Sequence, residues 1–321
     1  MKPPFSVIFL TTLIGAGQGL FFALFTAQLY AFFNMLPEHD SRSFYAMGSV
    51  LSLLFLTAGL VASFFHLGHP ERAWRSAAMW RTSWLSREVI VLPAFMGTVF
   101  LFGVTHWFNL HIPVFELTLT IGILGMLLGL ALFICTGMIY ACLRFMQEWH
   151  SPLTLINFTL LGSASGFLLA SVFAHFNAPD LVNFYAAWAM ILTLLGLISR
   201  SASLLRNKHI KPKSSLSSAI GIKHSKIEQI SQGAMGGSFN TRAFFHGKSP
   251  QVLRMTKPGF LILTFILPLI LIALILLPLG LSTPIWLIAA FLIQYTGLLA
   301  ERWFFFAEAN HPQNLYYQKI A

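Results

Sequence analysis

Charge is scarce in this 321-residue chain, and that scarcity is the first constraint on what it can be. Only 9% of the residues are Asp, Glu, Lys or Arg, against roughly a quarter in an ordinary water-soluble domain. With a mean hydropathy of +0.73, the chain cannot cover itself with polar surface, and it reads as an all-α, polytopic membrane helix bundle. Cysteine is nearly missing too. Cys135 and Cys142 are the two present, on one face of a single apolar run, and two thiols cannot hold an iron-sulfur cluster that normally takes four. They read as buried packing residues. No phosphate-binding glycine loop followed by Lys and Ser or Thr occurs. Gly15, Gly17 and Gly19 follow no strand, so they read as close helix packing rather than a nucleotide site. Histidine is lacking at mid-depth: His66, His106 and His175 all fall at span ends, which argues against the facing axial ligands of a membrane cytochrome b. The spans also read as continuous, with charges at their ends, unlike the broken helices and midplane charges of a secondary transporter.

What the chain has in abundance is apolar sequence. Measured against the roughly 20 residues that cross a bilayer, eight spans are expected. They run from Ser6 to Met35, Phe44 to Phe65, Val89 to Trp107, Val114 to Leu143, Leu153 to Ala174, Leu181 to Ser199, Phe260 to Leu279 and Pro284 to Phe306. Nineteen of the 20 Lys and Arg residues lie at the two termini or after spans two, four and six, and Arg42 alone is on the other side. This asymmetry places both termini in the cytoplasm. Lys2 and the small residues near Ala23 to Ala27 resemble a cleavable signal peptide, but the apolar length favours an uncleaved helix. The net charge of +10 follows from this sidedness and from proximity to anionic lipid, so no nucleic-acid partner is expected.

The chemistry-bearing residues concentrate at the cytoplasmic edge. His66-Leu67-Gly68-His69-Pro70-Glu71-Arg72 falls where the second span ends, and Glu88 stands where the third begins. A lipid-soluble quinone needs such a setting, because its ring travels in the membrane while its oxygens exchange protons through groups such as His and Glu. His66 and Glu88 are therefore expected to face one pocket, hydrogen-bonding a quinone oxygen and passing protons. Between them, Arg72, Arg75, Arg81 and Arg87 alternate with Trp74, Trp80 and Trp84, the pattern of a loop in the headgroup layer. Arg72, Arg75, Arg81 and His69 are candidate neighbours of the site. So are Glu301 and Arg302, which read first as an ion pair fixing helix rotation, and Gln18, which reads first as a helix-helix hydrogen bond. Arg144, Glu148, Glu308 and His311 collect at the same edge. Glu38, Asp40, Glu116 and Asp180 lie at the other and form no cluster.

Residues 200–257 form a basic loop between spans six and seven, the only substantial segment outside the membrane in an otherwise single membrane domain, 1–321. Ser201 to Ser218 reads as flexible. Ile220 to His246 mixes spaced apolar residues with turn formers and reads either as a loop that folds on its own bundle or, by preference, as a docking surface for a cytoplasmic partner, since a carrier site without an electron-accepting cofactor cannot complete a redox reaction alone.

His66-Leu67-Gly68-His69-Pro70 with Arg72-Ala73, Leu85-Ser86-Arg87-Glu88, the eight spans and the closing Ala300-Glu301-Arg302 resemble the membrane anchor of the dimethyl sulfoxide reductase family. The resemblance covers essentially the whole chain. It implies an anchor in the bacterial inner membrane that carries no haem or metal and binds menaquinone or ubiquinone. Such an anchor exchanges electrons with an iron-sulfur subunit and a molybdopterin catalytic subunit. Its His and Glu fall on His66 and Glu88. The long basic loop and the tail from Phe304 to Pro312 resemble the sulfite dehydrogenase branch, where electrons flow to quinone, whereas a reductase anchor oxidises quinol. The sequence leaves both directions open, and beside them a purely structural anchor.

Overall fold

The computed structural model describes residues 1–36, 40–110, 116–224, 226–228, 246–277 and 284–316. Eight long apolar helices carry the chain. They are α1 (Phe5–Phe32), α2 (Ser41–Phe64), α3 (Trp84–Trp107), α4 (Leu117–Ala141), α5 (Pro152–Asn177), α6 (Pro179–Lys208, opening in a 3₁₀ turn), α7 (Pro250–Leu276) and α8 (Pro284–Glu308). Among the described residues there is no strand. Glu38, the fourth span's expected start at Val114, the seventh's expected end at Leu279 and loop residues 225 and 229–245 lie outside the described residues.

The helices form two four-membered rings of the same order. Helices α1 to α4 pack in succession and α4 returns to α1, while α5 to α8 do the same and α8 returns to α5. The rings meet along α1 and α5, flanked by α4 against α5 and α1 against α8. These two central helices are the most enclosed, each 72% buried over its apolar window. The glycines of α1 make that contact possible. A Cβ on Gly19 would sit 2.3 Å from the carbonyl oxygen of Gly162, and one on Gly166 would sit 2.1 Å from the backbone carbon of Gly19. Backbone therefore packs on backbone, the arrangement expected of small residues where lipid supplies no hydrophobic drive for association.

Several boundaries differ from the sequence expectation. The sixth helix does not stop at Ser199 but continues to Lys208, because Arg200 finds buried partners and does not end the apolar face. Ser201 to Lys208, expected in a flexible loop, is helical, and the remaining segment includes a capped turn of helix at Leu216–Ile220. The seventh helix starts at Pro250, ten residues ahead of Phe260, and is not regular throughout. It carries Pro258 and then widens into a π turn at Ile262–Ile266. A proline interrupts the hydrogen-bond ladder, and neighbouring polar groups serve the disturbed backbone, as is usual in membranes. Gln294 of α8 donates to the Thr264 carbonyl at 3.4 Å and to the Thr193 hydroxyl at 3.0 Å.

Candidate functional site

Helix α3 aims the central residue. Ser83 caps it, its hydroxyl accepting the Ser86 N–H at 3.3 Å, so the helix begins at Trp84 and not at Val89. Glu88 consequently lies one turn inside the helix and points into the bundle, 9% exposed. Thr136 of α4 donates a hydrogen bond to its carboxylate. Beside this pair lies a cavity of about 20 Å³ lined by Gln18, Glu88, Thr136, Ser165 and Arg302 among others. That is room for about one water molecule, in a polar setting that can hold it. Three residues singled out from the sequence, on α1, α3 and α8, therefore converge on one cavity. Gln18 also spans the first ring, donating to the Gly129 carbonyl at 3.0 Å, which is the helix-helix bond expected of it.

His66, expected to face one pocket with Glu88, is not among the residues that line this cavity. Helix α2 ends at Phe64 and His66 occupies the exposed turn beyond it, whereas Glu88 is already inside α3. Partial burial holds the His66 imidazole below its ordinary value of 6.5, so at neutral pH it keeps one ring nitrogen to donate and one to accept. Next to it, Phe65 lines an apolar groove of about 340 Å³ between the end of α2 and the start of α1, together with Ser6, Phe9, Leu13, Ala58, Val61 and Ala62. Helix α1 separates the two spaces. Its residues Phe9 and Leu13 line the groove, while Leu10, Thr11, Thr12 and Ile14 line the cavity.

The segment joining His66 to Glu88 folds as a 3₁₀ helix over Pro70–Met79 with no buried residue. His69 Nδ1 lies 3.0 Å from Glu71 Oε1, and Arg72 Nε lies 3.7 Å from the same oxygen. Arg75 sits over Trp74 at 5.4 Å, Arg81 over Trp80 at 5.4 Å and Arg87 over Trp84 at 4.2 Å. Arg87 closes the loop by donating to the carbonyls of Trp80 and Arg81 at 2.9 and 2.8 Å. Tryptophan bodies capped by guanidinium groups suit a headgroup layer, where one side of the segment is apolar and the other wet.

The residue missed from the sequence is Arg200. It belongs to α6, 1% exposed, and its Nε is 2.8 Å from Glu301 Oε1. Arg302 reaches the other carboxylate oxygen at 3.4 Å while its guanidinium lies 3.7 Å over the ring of Phe158. Arg200 Nη2 is 4.0 Å from Glu308 Oε2, to which Asn207 donates at 3.3 Å. The helical spacing of Thr193, Gly196, Arg200, Ser203 and Leu204, all buried, is the signal that places Arg200 on an inward face. Thr136 carries no such signal, because only tertiary packing brings it to Glu88. Cys135 is buried as expected, but Cys142 is exposed, since α4 ends at Ala141 and leaves it at the helix terminus.

The family model described as "DMSO reductase anchor subunit (DmsC)" matches residues 1–307. The chain belongs to this anchor family. Over 329 aligned residues that cover all of both proteins, it is 56% identical to a subunit of the sulfite dehydrogenase of Allochromatium vinosum. A multi-pass membrane anchor with eight apolar helices is what family and fold both describe.

Proposed function

We propose that the chain is the quinone-reactive anchor of a molybdopterin oxidoreductase of the sulfite dehydrogenase type. It exchanges electrons between the quinone pool and an iron-sulfur partner subunit bound on the cytoplasmic face of a bacterial inner membrane. The anchor family and the 56% identical relative support the complex and its substrate class. The observation that carries the quinone reading is Glu88, a carboxylate buried beside a water-sized polar cavity one helix away from a groove on the lipid side. The cavity is too small for a quinone ring, whereas the groove has the size of a small-molecule site. On this reading the quinone ring occupies the groove, with His66 as the hydrogen-bond partner of an oxygen and Glu88 as the internal proton group. Sulfite oxidation delivers two electrons, and the quinone takes them with two protons from the cytoplasmic side, so turnover is not itself electrogenic.

Glu88→Gln and His66→Ala in the assembled complex test this. Quinone-linked turnover is expected to fall roughly a hundredfold, the scale of losing a positioned proton-transfer group. Dye-linked activity of the catalytic subunit and complex assembly should be retained. Unchanged quinone-linked turnover would leave a structural anchor whose partners bind quinone themselves, and a chain that purifies without redox partners would point to transport.

A further inference from the structure

The buried charges on α6 and α8 lead from the cavity beside Glu88 toward the end of the bundle. Arg302 lines the same small cavity as Glu88. From there the contacts run through Glu301 and Arg200 to Glu308, and Asn207 links Glu308 to a pocket of about 540 Å³. That pocket is lined by Gln147, Glu148, Asn207, Lys213, His311 and others, and lies where α4, α6 and α8 end. Glu301 sits seven residues before the end of α8, about 10 Å deep at 1.5 Å per residue. A charged row at that depth is costly to desolvate, and proton relays are among the roles for which membrane bundles keep ionisable residues inside.

We propose that this row is a proton route linking Glu88 to the open pocket, with Glu301 and Glu308 as its carriers. The inference rests on the reading of Glu88 as the quinone-linked proton group. Arginine stays protonated in proteins, so Arg200 and Arg302 act as fixed charges that balance the two ionised carboxylates at rest, and the row gains one positive charge only while a proton is in transit. The contacts around Glu301 are close but off the hydrogen-bond axis, and among the described residues neither of its oxygens has an aligned donor. A carboxylate paired in charge and unfilled in hydrogen bonding can take a proton or a bridging water. A proton enters at Glu308, passes to Glu301, and moves past Arg302, which lines the cavity, to Glu88 on the one water the cavity can hold. Glu88 then reprotonates after giving its proton toward a quinone oxygen. In the opposite direction the same groups release protons into the pocket, and each donor is refilled from the Glu88 side.

The test uses the full membrane complex with Glu301→Gln, Glu308→Gln and Glu88→Gln compared side by side. Quinone-linked turnover should fall in all three while dye-linked activity holds. In Glu308→Gln, the rim variant least able to disturb folding, the slowed turnover should show an enlarged solvent deuterium isotope effect and be partly restored by a small permeant acid such as acetate. A merely structural role moves neither of these readouts. If Glu88→Gln is slow but Glu308→Gln turns over normally, the route is wrong and the quinone reading stands. The same holds if Glu308→Gln is slow without isotope effect or rescue. If Glu88→Gln itself is normal, the quinone reading fails and takes the route with it.

Discussion

Two sets of arginines in this protein use the same chemistry in opposite settings. Arg75, Arg81 and Arg87 lie over tryptophans in the exposed loop between α2 and α3, and Arg200 and Arg302 lie over Phe260 and Phe158 inside the bundle. The loop cations keep their water, so each contact is worth little and none needs an acidic partner. The buried cations have lost theirs, and two glutamates in ionic contact offset that loss. Geometry alone does not distinguish the sets. Desolvation does, because it makes the inner contacts obligatory and the outer ones interchangeable.

The sharpest way to break this contrast is Arg200→Ala. It leaves Glu301 and Glu308 short of a buried counter-charge, and breaking such a pair costs about 3–5 kcal/mol. Thermal unfolding of the purified complex in mild detergent should show a large loss of stability. A shift no greater than that of a loop variant would mean that water reaches the row freely. Next in size is Gly166→Ala. Its new Cβ would fall 2.1 Å from the backbone carbon of Gly19, where no side chain can move aside. The expected penalty is about 1–3 kcal/mol for overpacking, read as a lowered unfolding temperature. Because α1 carries Gln18 and α5 carries Ser165, both lining the cavity, separating the helices should also lower quinone-linked turnover.

A smaller effect separates His66 from both sets. Burial lowers its imidazole below 6.5, so in the folded chain it stays neutral to a lower pH than in the unfolded one. As pH falls below 6.5 the unfolded chain takes up a proton that the fold resists, and the stability present above that value is progressively lost. Quinone-linked turnover should decline over the same acid window as the accepting nitrogen is lost. His66→Gln should remove this acid limb, and a limb that persists unchanged in the variant would assign it to another group.

Much of this was legible in the sequence, for reasons that differ by element. The eight spans were readable because lipid demands about 20 apolar residues in a row, and Gly15, Gly17 and Gly19 were readable as packing because no other role fits glycine in an apolar helix. Glu88, Gln18 and Arg302 were each identifiable as polar residues that an apolar helix must have a reason to keep. Their convergence was not, since it depends on α1, α3 and α8 meeting, and no spacing within one helix encodes that. Arg200 was misplaced because a charge at the end of an apolar run looks like a boundary. Only a buried carboxylate supplied by another helix allowed α6 to continue. Nor could the sequence tell that His66 lies in an exposed turn beyond the end of α2 while Glu88 is buried within the first turns of α3.

The smallest effect is expected at the loop itself. Arg75→Ser and Arg81→Ser each remove an exposed cation whose contact is with a neighbouring tryptophan. Surface substitutions of this kind stay within about 0.5 kcal/mol, so neither the unfolding temperature nor the spectrum of assembled subunits should change measurably. What should change is attraction to anionic lipid, worth about 1 kcal/mol per cation near a charged surface and weakened by salt. Reconstitution into vesicles with and without anionic lipid separates the two roles. A headgroup-layer loop predicts that the double variant loses quinone-linked turnover only in anionic vesicles and at low salt. If turnover fell equally in neutral vesicles, Arg75 or Arg81 would be acting on the quinone, and the loop would belong functionally with the buried arginines.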